Sequence, residues 1–276
     1  MTGFRQPKGF MFDLDGTLIL SDRKLGGYTL IDGAAEALGE LDRLGIPWLA
    51  LTNGSAYAAR VQAPRLRAAG VPVPDEKLFT PNSVAAKVML DRAYTRVLVL
   101  GTQGVADALE ELGVATAMPG TAEAAHADAV YVAWHPDCVM DHIHAACERV
   151  LAGAALLSAS DVPFFATKEG RSFGYSCAIN GAIARVTGVE PEPTGKPSAH
   201  AMTFIAEQLG IAKEDVGVVG DDATAEMLMA RQGGAIGIAV TSGATDAAQW
   251  AAQPPEKTPH LVIGTIGELV AACGLG

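Results

Sequence analysis

The sequence predicts an α/β protein built on a mostly parallel sheet. Short apolar runs typical of strands alternate with stretches in which apolar residues recur at helical spacing. Three of the predicted strands end in small polar or acidic clusters, and proline-rich turns enclose a long middle segment with its own alternation. These observations indicate one main sheet with polar groups gathered at one edge, together with an inserted second unit.

The beginning of the main sheet is predicted from two apolar strands and the helix between them. The first strand covers residues 9–12 and the second covers 46–51. Asp32 is predicted to cap the intervening helix, whose apolar residues at 35, 38, 41 and 44 share one face, and Gly45 is predicted to end it. Polar clusters follow both strands: Asp13-Leu14-Asp15-Gly16-Thr17 and Thr52-Asn53-Gly54-Ser55.

The end of the chain supplies three more predicted strands, over 216–219, 235–240 and 261–263. The first of them ends in Gly220-Asp221-Asp222. Because the carboxyl ends of parallel strands lie at the same edge of a sheet, the three polar clusters are expected to converge on one crevice.

The segment from 82 to 188 is predicted to be an inserted α/β domain, so that 1–81 and 189–276 form the core. Proline-rich turns mark both of its boundaries. Its predicted strands and helices alternate: strands at 96–100, 129–133 and 154–157, a helix ending at Leu112, a helix from an Asp137 cap to Ala152, and a helix at 176–187.

The composition excludes several functional classes. The chain has 276 residues, 49% of them hydrophobic, and a formal net charge of −11 without any basic run, which argues against a nucleic-acid partner. It contains no apolar run long enough for a membrane helix and no signal-peptide core, and its four cysteines lack C-x-x-C spacing, so a cytoplasmic protein is expected. The six histidines are expected to be ordinary surface or core residues rather than metal ligands.

Asp13 and Asp15 are the first indication of chemistry. Two carboxylates one residue apart at a strand end repel each other, so they need a cation, a shared proton or separate roles. The pair therefore suggests a divalent metal and a carboxylate that acts as nucleophile or acid. The alternative from this segment alone is a strand followed by an ordinary Asp-Gly turn.

Four motifs in order carry a resemblance to a known family: Asp13-Leu14-Asp15-Gly16-Thr17, Leu51-Thr52-Asn53-Gly54, Gly195-Lys196-Pro197 and Gly220-Asp221-Asp222. The sequence resembles the phosphatases of the haloacid dehalogenase (HAD) superfamily. The stretches Ile31-Asp32-Gly33-Ala34 and Gly45-Ile46-Pro47 resemble its NagD-like subfamily IIA, which includes p-nitrophenyl phosphatases. The resemblance implies a Rossmann-like parallel sheet core (the HAD fold) with an inserted α/β cap of type C2a.

The resemblance also implies roles for the motif residues. Asp13 would be the nucleophile that forms an aspartyl-phosphate, and Asp15 would be the acid and then the base. Thr52 and Lys196 complete the implied catalytic set, and the phosphate would be bound by Leu14, Thr52, Asn53, Gly54 and Lys196. Magnesium would be held by Asp13, Asp15 through its backbone carbonyl, and Asp221.

Two further groups of residues are assigned by expectation. Asp222 and Glu226 follow the metal aspartate; Glu226 is expected either to accept from metal-bound waters or to face solvent on a helix. Lys168, Arg171, Phe173 and Tyr175 lie in the inserted segment and are expected to select the substrate. Because the segment departs from the family pattern at Ala159-Ser160-Asp161 and at Phe173-Gly174-Tyr175-Ser176, no relative's substrate carries over.

The function predicted from the sequence is magnesium-dependent hydrolysis of a small phosphorylated metabolite. A phosphotransferase or mutase on the same aspartyl-phosphate, and a catalytically silent phospho-ligand-binding protein, are the alternatives. A haloalkanoate dehalogenase is disfavoured, since it would leave Asp15 and Asp221 without a purpose. Neither a membrane nor a nucleic acid is expected as a partner, and a homodimer stays open.

Overall fold

The computed structural model describes residues 4–21, 27–167 and 170–276. Within them the strands are, in chain order, β1 (Gly9–Phe12), β2 (Ile19–Ser21), β3 (Tyr28–Leu30), β4 (Trp48–Leu51), β5 (Leu78–Phe79), β6 (Val97–Leu100), β7 (Thr116–Ala117), β8 (Ala129–Val132), β9 (Ala155–Ser158), β10 (Phe164–Thr167), β11 (Gly170–Phe173), β12 (Glu192–Pro193), β13 (Val216–Gly220), β14 (Ile236–Val240) and β15 (Leu261–Ile263).

The α-helices alternate with these strands, which confirms the predicted α/β class. They are α1 (Ala34–Arg43), α2 (Ala59–Ala68), α3 (Pro81–Asp91), α4 (Gln103–Glu111), α5 (Met140–Leu151), α6 (Tyr175–Thr187), α7 (Ala199–Leu209), α8 (Leu228–Gly233), α9 (Ala247–Ala251) and α10 (Leu269–Ala272). One turn of π-helix, Ala223–Met227, leads into α8. Across the described ranges, no helix combines the length and the apolar character needed to cross a membrane.

The first sheet is parallel throughout and has the order β15-β14-β13-β1-β4-β5. Its central strand β1 is buried on both faces, as expected of a parallel strand between two helical layers. Phe10 and Phe12 pack on the side of α1, whereas Met11 packs on the opposite side against α7. Because the strands of this sheet all run in the same direction, their carboxyl ends lie at one edge, between the two helical layers.

The second sheet has the order β12-β9-β8-β6-β7 and is also parallel. No strand pair among the described residues joins it to the first sheet. Its edge strand β12 pairs Glu192 with Leu157, and so includes residues beyond 188. The division of the chain into domains at 81/82 and 188/189 stays a prediction.

Two helices begin later than their predicted caps. The residue before α1 is Gly33, whose φ of 82° turns the chain into the helix, so Asp32 is not the cap. Helix α5 is preceded by Val139, and the Val139 N–H group points to Nδ1 of His142 at 3.4 Å. Asp137 is therefore not the cap of this helix, and a histidine within the helix faces the N–H of the residue before it.

Candidate active site

The strand register brings three sequence motifs to one level at the carboxyl edge of the first sheet. Phe12 of β1 lies opposite Ala50 of β4 and Val219 of β13. The side chains that follow these strands, including Asp13, Thr52 and Asp221, therefore lie side by side and line one cavity. The predicted convergence of the polar clusters on a crevice is what the register produces.

Lys196 connects the residues at the floor of this cavity. Its ammonium group pairs with Oδ1 of Asp13 and lies 2.8 Å from Oε1 of Glu226. Lys196 is 1% exposed, so both ion pairs are shielded from solvent. A buried ammonium with two carboxylates is expected to keep its proton, and the carboxylates outweigh burial, so the pKa of Lys196 lies above its usual value.

Asp221 occupies a narrow space between two loops. Its Oδ2 accepts a hydrogen bond of 2.6 Å from the backbone N–H of Ala244. A side chain at Gly16 or at Gly243 would collide with this carboxylate, and Gly16 also has a φ of +83°. The Gly of the Asp-Gly turn is therefore required both by its backbone conformation and by the close approach of Asp221.

The floor carries more negative than positive charge. One oxygen each of Asp13, Asp221 and Glu226 lie within 4.8 Å of one another, and Lys196 is the ammonium that the described contacts place among them. Burial and the Asp13 carboxylate raise the pKa of Asp221 to about 7, and burial raises that of Glu226 to about 8 against the opposing effect of Lys196. Three carboxylates on one ammonium leave two surplus negative charges when all are ionised, which suits a divalent cation with oxygen ligands.

The side chains of Thr52 and Asn53 form hydrogen bonds within the protein. The hydroxyl oxygen of Thr52 accepts a hydrogen bond of 2.9 Å from the N–H of Gly54. The Asn53 side chain accepts from the N–H of Lys196 at 2.8 Å and donates to its carbonyl at 2.7 Å. Asn53 thus fixes the backbone that carries Lys196, an arrangement that its motif position alone did not indicate.

Asp222 and Glu226 have different surroundings. Oδ1 of Asp222 accepts from the N–H and the hydroxyl of Thr224 at 2.6 and 2.7 Å, and so caps the π-helical turn. Glu226 is 2% exposed, pairs with Lys196, and accepts from the N–H of Asp222 at 3.2 Å. The alternative of a solvent-facing Glu226 is therefore wrong, because the turn directs its side chain into the floor.

The opposite wall of the cavity comes from the second sheet and the β10–β11 hairpin. It includes Trp134, Val162, Phe164 and Tyr175. The Trp134 and Tyr175 rings meet edge to face, with centroids 4.6 Å apart at 79°. The backbone N–H of Trp134 donates a hydrogen bond of 3.0 Å to Oγ of Ser55, which connects this wall to the loop after β4. The cavity is partly open to solvent and has a volume of about 150 Å³, suited to a small ligand.

The four residues expected to select the substrate differ in where they lie. Tyr175 lines the cavity, whereas Phe173 is half exposed and reaches the site only by packing on Tyr175, with ring centroids 4.7 Å apart. The backbone of Arg171 lies in β11. Lys168 lies outside the described residues.

Sequence reasoning missed several residues that the fold brings to this region. Trp134 and Phe164 sit in apolar stretches without a motif, and Ala244 contributes a backbone amide that any residue type could supply. Outside the cavity lining, sequence reasoning also missed a group formed by His135, Cys138 and His142, whose ligand atoms lie within 4.8 Å of one another. Their H-x2-C-x3-H spacing was the available signal, and it is visible only when histidines and cysteines are considered together.

Two family models match the chain. Residues 10–115 match the model described as haloacid dehalogenase-like hydrolase, and residues 193–269 match one described as HAD-hydrolase-like. The matched ranges contain all four motifs and the entire first sheet apart from the residue Gly9.

Among the similar proteins, the 5′-nucleotidase YutF of Bacillus subtilis is 27% identical over 86% of this chain and 88% of its own length. The 4-nitrophenylphosphatase of Thermotoga maritima superposes with a TM-score of 0.86, at 26% identity, over 97% of both chains. NagD of E. coli K-12 superposes with a TM-score of 0.83 at 23% identity, over 96% of this chain and 98% of its own.

Proposed function

Because this chain belongs to the haloacid dehalogenase superfamily, among its NagD-like phosphatases, we propose that it is a magnesium-dependent phosphomonoesterase that works through an aspartyl-phosphate on Asp13. One observation carries the proposal: three buried carboxylates and one buried ammonium gather at the ends of β1 and β13, with surplus negative charge. A protein that only bound an anion would gain nothing from so many carboxylates beside its ligand.

The donor atoms at the floor fit magnesium. They are oxygens without imidazole or thiolate, the set that hard divalent cations prefer. Asp13, Asp221 and the backbone carbonyl of Asp15 would hold the ion, while Glu226 stays with Lys196. When bound, magnesium supplies the positive charge that lets an anionic phosphate approach an anionic carboxylate.

Asp13 and Asp15 have separate roles in the two steps, formation and hydrolysis of the aspartyl-phosphate. A carboxylate oxygen of Asp13 forms a bond to phosphorus as the bond to the leaving oxygen breaks, and Asp15 gives that oxygen its proton. In the second step Asp15 takes a proton from a water molecule, the water oxygen bonds to phosphorus, and the Asp13–phosphorus bond breaks to release phosphate. Lys196, held in place by Asn53, neutralises charge on the transferring group.

The substrate class follows from the opposite wall. Trp134, Tyr175, Phe164 and Val162 offer apolar and aromatic surface at the side where the leaving group would lie. Such a wall favours a phosphomonoester whose leaving group carries a flat ring, as in a nucleoside monophosphate, over a small polyol phosphate. Relatives are named for both kinds of ester: a 5′-nucleotidase and a 4-nitrophenylphosphatase on one side, and sugar phosphatases on the other. The preference for a ring-bearing ester therefore rests on the wall alone.

The remaining assignments concern the setting of the enzyme. The structure describes all four cysteines as free thiols, which suits the reducing cytoplasm predicted from the sequence. The partner would be the small phosphorylated metabolite itself.

The direct test is phosphate release from 4-nitrophenyl phosphate and from a panel of natural phosphomonoesters. We expect activity with magnesium, none in excess EDTA, and recovery when magnesium is restored. Full activity in EDTA would contradict the proposed metal. Transfer of phosphate to an added sugar in preference to water would favour the phosphotransferase alternative.

A further inference from the structure

A second group of metal-ligating side chains lies in the loop after β8 and the first turn of α5, away from the cavity floor. His135 follows β8, Cys138 lies in the next turn, and His142 is in the first turn of α5. A ring nitrogen of each histidine and the sulfur of Cys138 lie within 4.8 Å of one another. His135 is 8% exposed and the other two are partly buried, so the group is sheltered but reachable.

The two imidazoles already face one point. Nε2 of His135 and Nδ1 of His142 are 2.9 Å apart, and their ring planes differ by 10°. Two lone pairs cannot face each other this closely, so either a proton on one nitrogen or a cation has to lie between them. The N–H of Val139, 3.4 Å from the same Nδ1, would lose that contact when a cation binds there. In a tetrahedral zinc site with Zn–N bonds of about 2.0–2.1 Å, two nitrogen ligands are about 3.3 Å apart. The distance between the two nitrogens would have to increase by a few tenths of an ångström for the ion to bind between them.

We propose that His135, Cys138 and His142 form a binding site for a borderline-soft divalent cation of the zinc type. Two imidazoles and a thiolate are the ligands that select zinc over magnesium, and three protein ligands leave a fourth position for water. The spacing His135-x2-Cys138-x3-His142 is short enough for one turn and the helix behind it to supply all three. This site is separate from the oxygen-only group at Asp13, and the inference does not depend on the proposed phosphatase activity.

The position of the site gives it a consequence for the cavity. Trp134 immediately precedes His135, contacts Ser55 through its N–H, and meets the ring of Tyr175. A cation that joins His135 to the start of α5 would hold the loop carrying Trp134. This consequence, unlike metal binding itself, rests on the proposed phosphatase activity: the metal should change KM for ring-bearing substrates more than it changes kcat, since Trp134 belongs to the wall that would contact the leaving group.

The test is zinc and cobalt binding by the full-length protein in excess magnesium, which keeps the oxygen-rich group occupied. We expect one equivalent of Zn²⁺ to be retained in equilibrium dialysis. Co²⁺ should give the near-ultraviolet absorption of a cobalt–thiolate bond, which magnesium sites cannot produce. Both signals should disappear in Cys138→Ser, and His142→Gln should weaken them strongly.

Matched controls come from the same region. Cys177→Ser alters another partly buried thiol, and His144→Gln alters an exposed histidine two residues along α5; both should bind the metal like the unmodified protein. Zn²⁺ should also raise the thermal midpoint of the unmodified protein and of the controls, but not that of Cys138→Ser. Absence of the cobalt–thiolate band in the unmodified protein, or its persistence in Cys138→Ser, would overturn the proposal.

Discussion

At the floor of the cavity, Asp13, Asp221 and Glu226 are at most 8% exposed, and each is held by an ion pair or a backbone amide. At the opposite wall, Phe164 is 48% exposed, and Trp134 and Tyr175 are held by an edge-to-face contact. Groups that every phosphomonoester presents would meet the rigid, charged floor. Groups that differ between substrates would meet the apolar wall, where contacts can change without disturbing the charges.

The largest expected effect is at the floor. Asp13→Asn removes the nucleophile while it keeps the shape of the side chain, so kcat should fall by about 10⁴-fold or more for every substrate. Asp15→Asn should instead slow hydrolysis of the intermediate more than its formation with a good leaving group. Steady-state and rapid-quench kinetics measure both. Equal losses in both phases for Asp15→Asn would remove its proposed role as acid and base.

A smaller effect at the floor should separate Glu226 from Asp222. Above pH 8, where the carboxylate of Glu226 is ionised, Glu226→Gln lowers the surplus negative charge from two to one, so half-maximal activity should need about tenfold more magnesium. Asp222→Asn should change this requirement much less, because Asp222 is used to cap the turn at Thr224. Magnesium titrations of the two variants make the comparison. A larger shift for Asp222→Asn would exchange their assignments.

At the wall, substitutions should alter selectivity instead of the rate of chemistry. Tyr175→Ala should lower kcat/KM for ring-bearing phosphomonoesters relative to glycerol phosphate. The expected loss of transition-state stabilisation is about 1–3 kcal/mol, the scale of a lost pocket contact. Phe173→Ala is the matched control, since Phe173 packs on Tyr175 without lining the cavity. Uniform loss across a substrate panel would mean that the wall affects stability or closure, and the contrast between floor and wall would fail.

The smallest effect lies where the second sheet meets the helices of the first. Arg92 and His200 lower the pKa of Glu192 in β12 to about 2. Since the ordinary value is 4.5, the contribution of Glu192 to stability should be complete above pH 4.5 and lost as the pH falls towards 2. The thermal midpoint of Glu192→Gln should therefore fall less between pH 4.5 and 2 than that of the unmodified protein. A steeper loss would show that another carboxylate controls it.

The floor was largely predictable because its chemistry requires particular residue types at strand ends. Asp13, Lys196 and Asp221 stood in order in the sequence. The register of the parallel strands brings Asp13 and Asp221 together, whereas Lys196 reaches the floor from the segment between β12 and α7. The wall was predictable only in part, since many apolar residues could form it. Trp134 lies in the cavity because of where the second sheet, whose strand β8 it follows, is placed in the fold. No local sequence pattern predicts that position.

The two hydrogen bonds between the Asn53 side chain and the Lys196 backbone show what a motif alone does not predict. Asn53 stands in a segment expected to present amides to phosphate, yet its side chain holds both backbone groups of Lys196. The two residues are 143 positions apart, so their contact depends on the whole fold. The helix starts were missed for a local reason: Gly33 and Val139 precede α1 and α5 in conformations that left Asp32 and Asp137 outside the caps.

The covalent step at Asp13 can be measured directly. Asp15→Asn is mixed with 4-nitrophenyl phosphate and magnesium, quenched in acid within one turnover, and reduced with borohydride, which converts an acyl phosphate to an alcohol. Mass spectrometry of the peptide spanning β1 should find this reduction at residue 13, in an amount that matches the first burst of nitrophenol. A burst without modification at residue 13, or reduction at another carboxylate, would contradict the assignment of Asp13 as the nucleophile.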